Sequence, residues 1–128
     1  MVSINKTSNK PYYEQLILSI KEEILQGVIR PGDQMLSIRE MAKRLLMNPN
    51  TVSKAYQVLE NEQILITIKG KGTFVKSIED TSRDERRIQE LKEKFKELLV
   101  EAGHLKISPQ ELNTWFVLFD KELGGIDK

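Results

Sequence analysis

At 128 residues and 39% hydrophobic content, the chain has room for one small domain, or for a small domain with an appendage. It has no cysteine, a single histidine, no apolar run near the ~20 residues of a membrane span and no apolar stretch between Met1 and Tyr12; disulfides and cysteine-type metal or redox centres are therefore excluded, no membrane helix or signal peptide is expected, and cytoplasmic residence is expected. The net charge of +1 divides unevenly, with 11 Lys and Arg against 7 Asp and Glu in residues 1–77 and 9 against 12 in residues 78–128, so that only the first part is expected to meet a polyanion.

Met1 to Asn9 is polar and reads as a loose arm. Pro11 opens a helix that runs to about Gln26, because Tyr13, Leu16, Ile17, Ile20 and Ile24 recur at helical spacing. Glu22 and Glu23 read as solvated, Gly27 ends the helix, and Arg30-Pro31-Gly32-Asp33 is a turn. Gln34 to Leu36 has the length of a short strand. The first helix is expected to be purely structural, burying the apolar faces of the two helices after residue 36.

Those two helices are short, and each has its own start signal. Ser37 and Glu40 stand at capping-box spacing ahead of an apolar face made by Ile38, Met41, Ala42 and Leu45, predicting a helix over 37–46. Asn48 is an N-cap residue and Pro49 suits the first helical position, where its missing N–H costs nothing, so a second helix is expected over 49–61. Its apolar face is Val52, Ala55, Tyr56 and Leu59, with the Tyr56 hydroxyl expected to reach the surface. Tightly connected helices of this kind form a helix-turn-helix. The outer side of the second carries Asn50, Thr51, Ser53, Lys54 and Gln57, with no carboxylate until Glu60. Short hydrogen-bonding groups and one cation can approach base edges in a major groove without repelling phosphates. Asn48 has its side chain committed to capping and is a weaker candidate reader.

Ile64 to Lys69 and Thr73 to Lys76 read as a hairpin, the wing of a winged helix, with Leu65 and Ile68 facing the core and Phe74 covering it from the other strand. At its tip Lys69 and Lys71 alternate with Gly70 and Gly72; glycine allows the turn and close approach to a phosphate backbone, and lysine neutralises it.

Ser77 to Arg83 is a polar linker. A long helix from about Arg83 to Ala102 carries Ile88, Leu91, Phe95, Leu98, Leu99 and Ala102 on a narrow stripe, and Gly103 stops it. Ser108, Pro109 and Glu111 repeat the start signals for a last helix bearing Leu112, Trp115, Phe116, Phe119 and Leu123. Two thin helices do not make a core, so this apolar surplus needs a second surface. A matching hairpin in a second copy is the favoured one, with Leu91, Phe95, Leu98, Leu112, Trp115, Phe116 and Phe119 at the interface; docking onto residues 1–77 is the alternative. The fold class is therefore mostly α with a small β-hairpin (α+β): a winged helix-turn-helix over 1–77 and a helical dimerisation hairpin over 78–128.

The ordered pieces Pro11-Tyr12-Tyr13-Glu14-Gln15-Leu16, Pro31-Gly32-Asp33-Gln34, Ser37-Ile38-Arg39-Glu40-Met41-Ala42, Asn48 through Tyr56, and Gly70-Lys71-Gly72-Thr73-Phe74-Val75 resemble the GntR family of bacterial transcription regulators, and within it the short-tailed YtrA-like subfamily. The resemblance is dense over residues 11–75 and rests on length and helix pattern beyond them. It implies a homodimeric winged helix that binds double-stranded operator DNA, often as a repressor near transporter genes. It also implies that Arg39 contacts a base or phosphate, that Asn48 to Lys54 read the major groove, and that the Gly70 tip enters the adjacent minor groove. Many members carry arginine where this chain has Pro49 and Ser53, so arginine–guanine readout is not carried over at those two positions. Leu36 stands where proline usually precedes the capping serine.

The expected DNA-binding residues are thus Arg39, Asn50, Thr51, Ser53, Lys54, Lys69, Gly70 and Lys71. No cofactor or metal is expected, His104 being a lone loop histidine, and an enzyme is disfavoured because no acid/base pair can be named. A small-molecule effector has room but no polar constellation marks one. The competing reading is a winged-helix protein–protein adaptor that never touches nucleic acid.

Overall fold

The structure is a computed structural model describing residues 2–125. In chain order its elements are α1 (Tyr12–Leu25), α2 (Ile38–Leu45), α3 (Pro49–Asn61), β1 (Leu65–Ile68), β2 (Gly72–Val75), a single 3-10 turn (Ile78–Asp80), α4 (Glu85–His104) and α5 (Pro109–Glu122). The molecule is mostly α with one antiparallel hairpin, and it divides after Thr81 into two units.

In the first unit α3 is the centre, packed by α1, α2 and β1. Leu16 and Ile20 of α1 meet Met41 and Ala42 of α2, Val52, Ala55, Tyr56 and Leu59 of α3, and Leu65 and Val75 of the hairpin in one buried cluster. The helical periodicities thus converge on a single core, as their spacing requires. Pro11 is the N-cap of α1 rather than its first residue, with ψ 145° and its carbonyl accepting the Gln15 N–H at 3.1 Å. Glu23 is not solvated: it follows Leu16 and Ile20 on the same face and is only 6% exposed.

The residues before α1 are not a loose arm. Val2 and Ile4 pack against the core cluster. The Ser3 N–H donates to Ser19 Oγ at 3.3 Å, the Asn5 N–H to Gln15 Oε1 at 2.7 Å, and Lys6 Nζ to the Leu46 carbonyl at 2.9 Å. Polar composition concealed this because, among the described residues, the anchoring uses backbone donors, the Lys6 ammonium and two apolar side chains.

After α1, the Asp33 N–H donates to the Arg30 carbonyl at 3.0 Å and Gly32 takes φ +89°, a Pro-Gly turn of the expected kind. Residues 33–35 then line β2: the Met35 N–H donates to the Thr73 carbonyl at 2.8 Å and the Val75 N–H to the Asp33 carbonyl at 2.9 Å. β1 pairs with β2 in the register Leu65–Val75, Ile66–Phe74, Thr67–Thr73, Ile68–Gly72. The buried pair is Leu65 with Val75. Ile68 faces away from the core and is 43% exposed, and Phe74 stands opposite Ile66. Alternation with period two puts residues 65 and 68 on opposite faces, so the expected Leu65/Ile68 face was incompatible with a regular strand.

Tyr56 also departs from expectation: its hydroxyl does not reach solvent but donates to the Leu36 carbonyl at 2.7 Å. Burial, aided by the Glu40 carboxylate, pushes the phenol far above the ordinary tyrosine range. This bond ties α3 to the entry of α2. Tyr56→Phe is expected to destabilise the chain by about 1–3 kcal/mol, because the Leu36 carbonyl loses its donor; a urea melt of the two proteins measures it.

At the end of the first unit, the polar segment holds the 3-10 turn, closed by the Thr81 hydroxyl on the Ile78 carbonyl at 2.8 Å. In the second unit α4 starts later than the expected Arg83, at Glu85, because Asp84 is the N-cap and accepts the Arg87 N–H at 3.1 Å. Gly103 does not stop α4; the helix continues to His104, and Lys106 takes the left-handed conformation that closes it. Ser108 caps α5 by accepting the Glu111 N–H at 3.1 Å. Among the described residues the backbones of α4 and α5 do not run close beside one another. Ala102 is the buried apolar residue of this unit, while Leu91, Phe95, Leu98, Trp115, Phe116 and Phe119 are all exposed. Val100, Val117 and Leu118, absent from the expected stripes, are exposed as well.

Candidate nucleic-acid interface

The reading pair is built as its start signals require. In α2 the Glu40 N–H donates to Ser37 Oγ at 3.1 Å and the Ser37 N–H to Glu40 Oε1 at 3.2 Å, a complete capping box. That box orients the first turn and leaves Arg39 exposed within it. Leu46, in the left-handed region at φ +54°, ends α2; the Met47 N–H reaches back to the Ala42 carbonyl at 3.0 Å, and the chain enters α3 within two residues. Arg39, Lys43, Leu46 and Asn48 line an open groove along this connection.

In α3 the Asn48 Oδ1 accepts the Asn50 N–H at 2.8 Å, so Asn48 caps the helix. With Val52, Ala55, Tyr56 and Leu59 turned inward, Asn50, Ser53, Lys54 and Gln57 are exposed and Thr51 is half-buried. The first turn of α3 contains no acidic residue. Its N-terminal N–H groups and dipole therefore add to a surface that favours an anion. Lys54 does not extend straight outward: its Nζ lies 3.8 Å from the centroid of the Tyr13 ring. Tyr13 was legible in the sequence only as a core residue of α1.

The wing tip is a tight turn. The Lys71 N–H donates to the Ile68 carbonyl at 2.9 Å, and Gly70, third in the turn, takes φ +79°. Lys69, Gly70 and Lys71 are exposed at the tip. Gln34, which sequence reasoning passed over, braces it by donating from Nε2 to the Lys71 carbonyl at 3.1 Å. Gly72, at φ +124°, accommodates that brace, since a Cβ there would lie 2.6 Å from Gln34 Nε2. One pair below the tip the Thr67 hydroxyl bonds Glu60 and meets Thr73 Oγ1 at 3.0 Å, tying β1 to the end of α3. Glu60, the first carboxylate of α3, is thereby held by the strand. Among the described residues, Arg39, Lys54, Lys69 and Lys71 enter no ion pair.

The structure thus brings Asn50, Ser53 and Lys54 together on one exposed helical face and sets Arg39 on the neighbouring helix. Lys69, Gly70 and Lys71 are gathered on a braced hairpin of the same unit. Leu91, Phe95, Leu98, Leu112, Trp115, Phe116 and Phe119 belong to the second unit.

Residues 12–75, half of the chain, match the family described as "Bacterial regulatory proteins, gntR family". The chain is 37% identical to the HTH-type transcriptional repressor YtrA of Bacillus subtilis strain 168, over 98% of this chain and 96% of that one. It is similar to the crystal structure titled "Transcriptional Antiterminator" from Listeria monocytogenes EGD-e, at 39% identity and a TM-score of 0.92, covering 98% and 93% of the two chains. It is also similar to the AraR DNA-binding domain solved in complex with operator ORE1, at 27% identity and a TM-score of 0.50, over 59% of this chain and 92% of that one. The winged helix-turn-helix, its carboxylate-free face and these likenesses agree: the chain belongs to the gntR family of bacterial regulatory proteins and is a DNA-binding transcriptional regulator.

Proposed function

We propose that the protein is a repressor that binds an inverted-repeat operator as a homodimer, with residues 1–77 meeting the DNA and residues 78–128 pairing the protomers. The observation that carries the first half is the exposed, carboxylate-free face of α3, flanked by Arg39 and the lysines of the wing tip. Asn50, Thr51 and Ser53 would read base edges, Arg39 a base or phosphate, and Lys54, Lys69, Gly70 and Lys71 the sugar–phosphate backbone. The second half is supported by the apolar side chains that α4 and α5 leave uncovered, Leu91, Phe95, Leu98, Trp115, Phe116 and Phe119 among them, to which Leu112 adds. Cytoplasmic residence, and action by binding rather than catalysis, belong to the same reading.

Selection of bound sequences from a random duplex pool tests it. An inverted repeat with half-sites about one helical turn (~10 bp) or somewhat more apart is expected; absence of retardation on any duplex at low salt would instead favour the adaptor. On the selected site Arg39→Ala is expected to weaken binding by about 1–3 kcal/mol at a bidentate base contact. Unchanged affinity at ~150 mM salt would remove Arg39 from the interface. Lys71→Ala should weaken specific and random sites alike and reduce the slope of log K against log salt by about one unit for each protomer bound. A reporter placed behind the selected site separates repression from antitermination.

A further inference from the structure

The Lys54–Tyr13 contact joins the recognition helix to the supporting helix, through a tyrosine that also packs against the edge of the core cluster. We infer that Tyr13 is a positioning residue for DNA contact: its ring holds the Lys54 ammonium at the α1–α3 seam, directing it to a phosphate and keeping it off the base-reading face. This inference rests on the DNA-reading role proposed above.

Three observations carry it. Lys54 is exposed on the same side of α3 as Asn50, Ser53 and Gln57, so an unrestrained side chain would sweep over all three. The ring centroid at 3.8 Å from Nζ removes that freedom, because an ammonium over an aromatic face is attracted by the ring's quadrupole. An ammonium also has three N–H donors, and a ring face engages one side of it, leaving the others for phosphate oxygens. Tyr13 is half-buried and, among the described residues, its hydroxyl bonds Glu14 Oε1 at 3.5 Å, while the part of the residue that meets Lys54 is the ring. A lysine already placed gives up less rotamer freedom on binding than one recruited from solution.

The test uses the full chain, with the selected operator and a random duplex as probes, in titrations over a range of salt. Lys54→Met, which keeps the stem and removes the charge, should lower the salt slope by about one unit and the affinity by roughly eightfold for each protomer bound, at ~0.1 M salt, on both probes. Tyr13→Leu should reproduce most of that loss, Tyr13→Phe should bind as the parent, and adding Tyr13→Leu to Lys54→Met should change nothing further. In the free protein, the Lys54 ε-methylene protons should be shifted upfield by the ring in the parent and in Tyr13→Phe. This readout does not need Tyr13→Leu to fold. Normal chemical shifts in the parent, additive losses in the double variant, or a Tyr13→Leu protein with unaltered slope would each overturn the inference. So would a Lys54→Met protein that binds like the parent, an outcome that leaves the DNA-reading proposal standing. A parent chain that retards no duplex defeats both.

Discussion

Cutting the chain after Thr81 is expected to lower apparent operator affinity by roughly 10²–10⁴-fold, because two linked reading heads bind with an effective concentration that separate heads lack. The shortened chain keeps every residue of the buried cluster, from Leu16 to Val75, and so keeps its own reason to fold. It should sediment as a monomer, retain weak binding to a single half-site, and lose preference for the repeat over the half. A truncated chain that remains dimeric in sedimentation would place the protomer interface elsewhere and leave the uncovered side chains of α4 and α5 unexplained.

The second large effect is on stability. Leu59→Ala is expected to lower the unfolding free energy by about 2–5 kcal/mol, the range for truncating a fully enclosed leucine. Leu59 has no solvent exposure and lies near the end of α3, and its carbonyl accepts the Ile64 N–H at 2.8 Å where the chain turns into the wing. A cavity there undercuts the helix, the hairpin base and α1 together. For a unit of this size each 1 kcal/mol corresponds to about 4–8 °C in melting temperature, so scanning calorimetry resolves it easily. Ile68→Ala is the control: its side chain is 43% exposed and should shift the melt far less. Equal shifts for the two would mean that the core is not where the burial pattern places it.

The parts of this molecule that were legible in the sequence are those in which one residue type satisfies a local need. Ser37 with Glu40, Asn48 with Pro49, and Ser108 with Pro109 announced three helix starts, and the backbone bonds are as those pairs require. Helix ends were less legible. Glycine marks the turn after α1, but α2, α3 and α4 are closed by Leu46, Gln63 and Lys106 in the left-handed region, which side-chain chemistry does not favour and composition does not announce. Gly103, meanwhile, sits unremarked inside α4. The inward and outward faces of α3 followed from period alone, whereas the wing's faces were misassigned because four-residue strands leave little pattern to read. Contacts between distant residues, Lys54 on Tyr13, Gln34 on Lys71 and Lys6 on Leu46, had no sequence signal, since each joins residues with nothing in their spacing to link them.

Trp115, Phe116, Val117, Leu118 and Phe119 stand in unbroken succession around α5, every one open to solvent. Were a second copy to cover this helix, as proposed, the fold of the second unit would depend on how much of the protein is present. With self-pairing as the occupant, dilution strips away the cover, and mass action then ties thermal endurance to abundance. A scarce regulator of this design would be cleared sooner than a plentiful one, giving the cell a threshold in copy number without any added ligand.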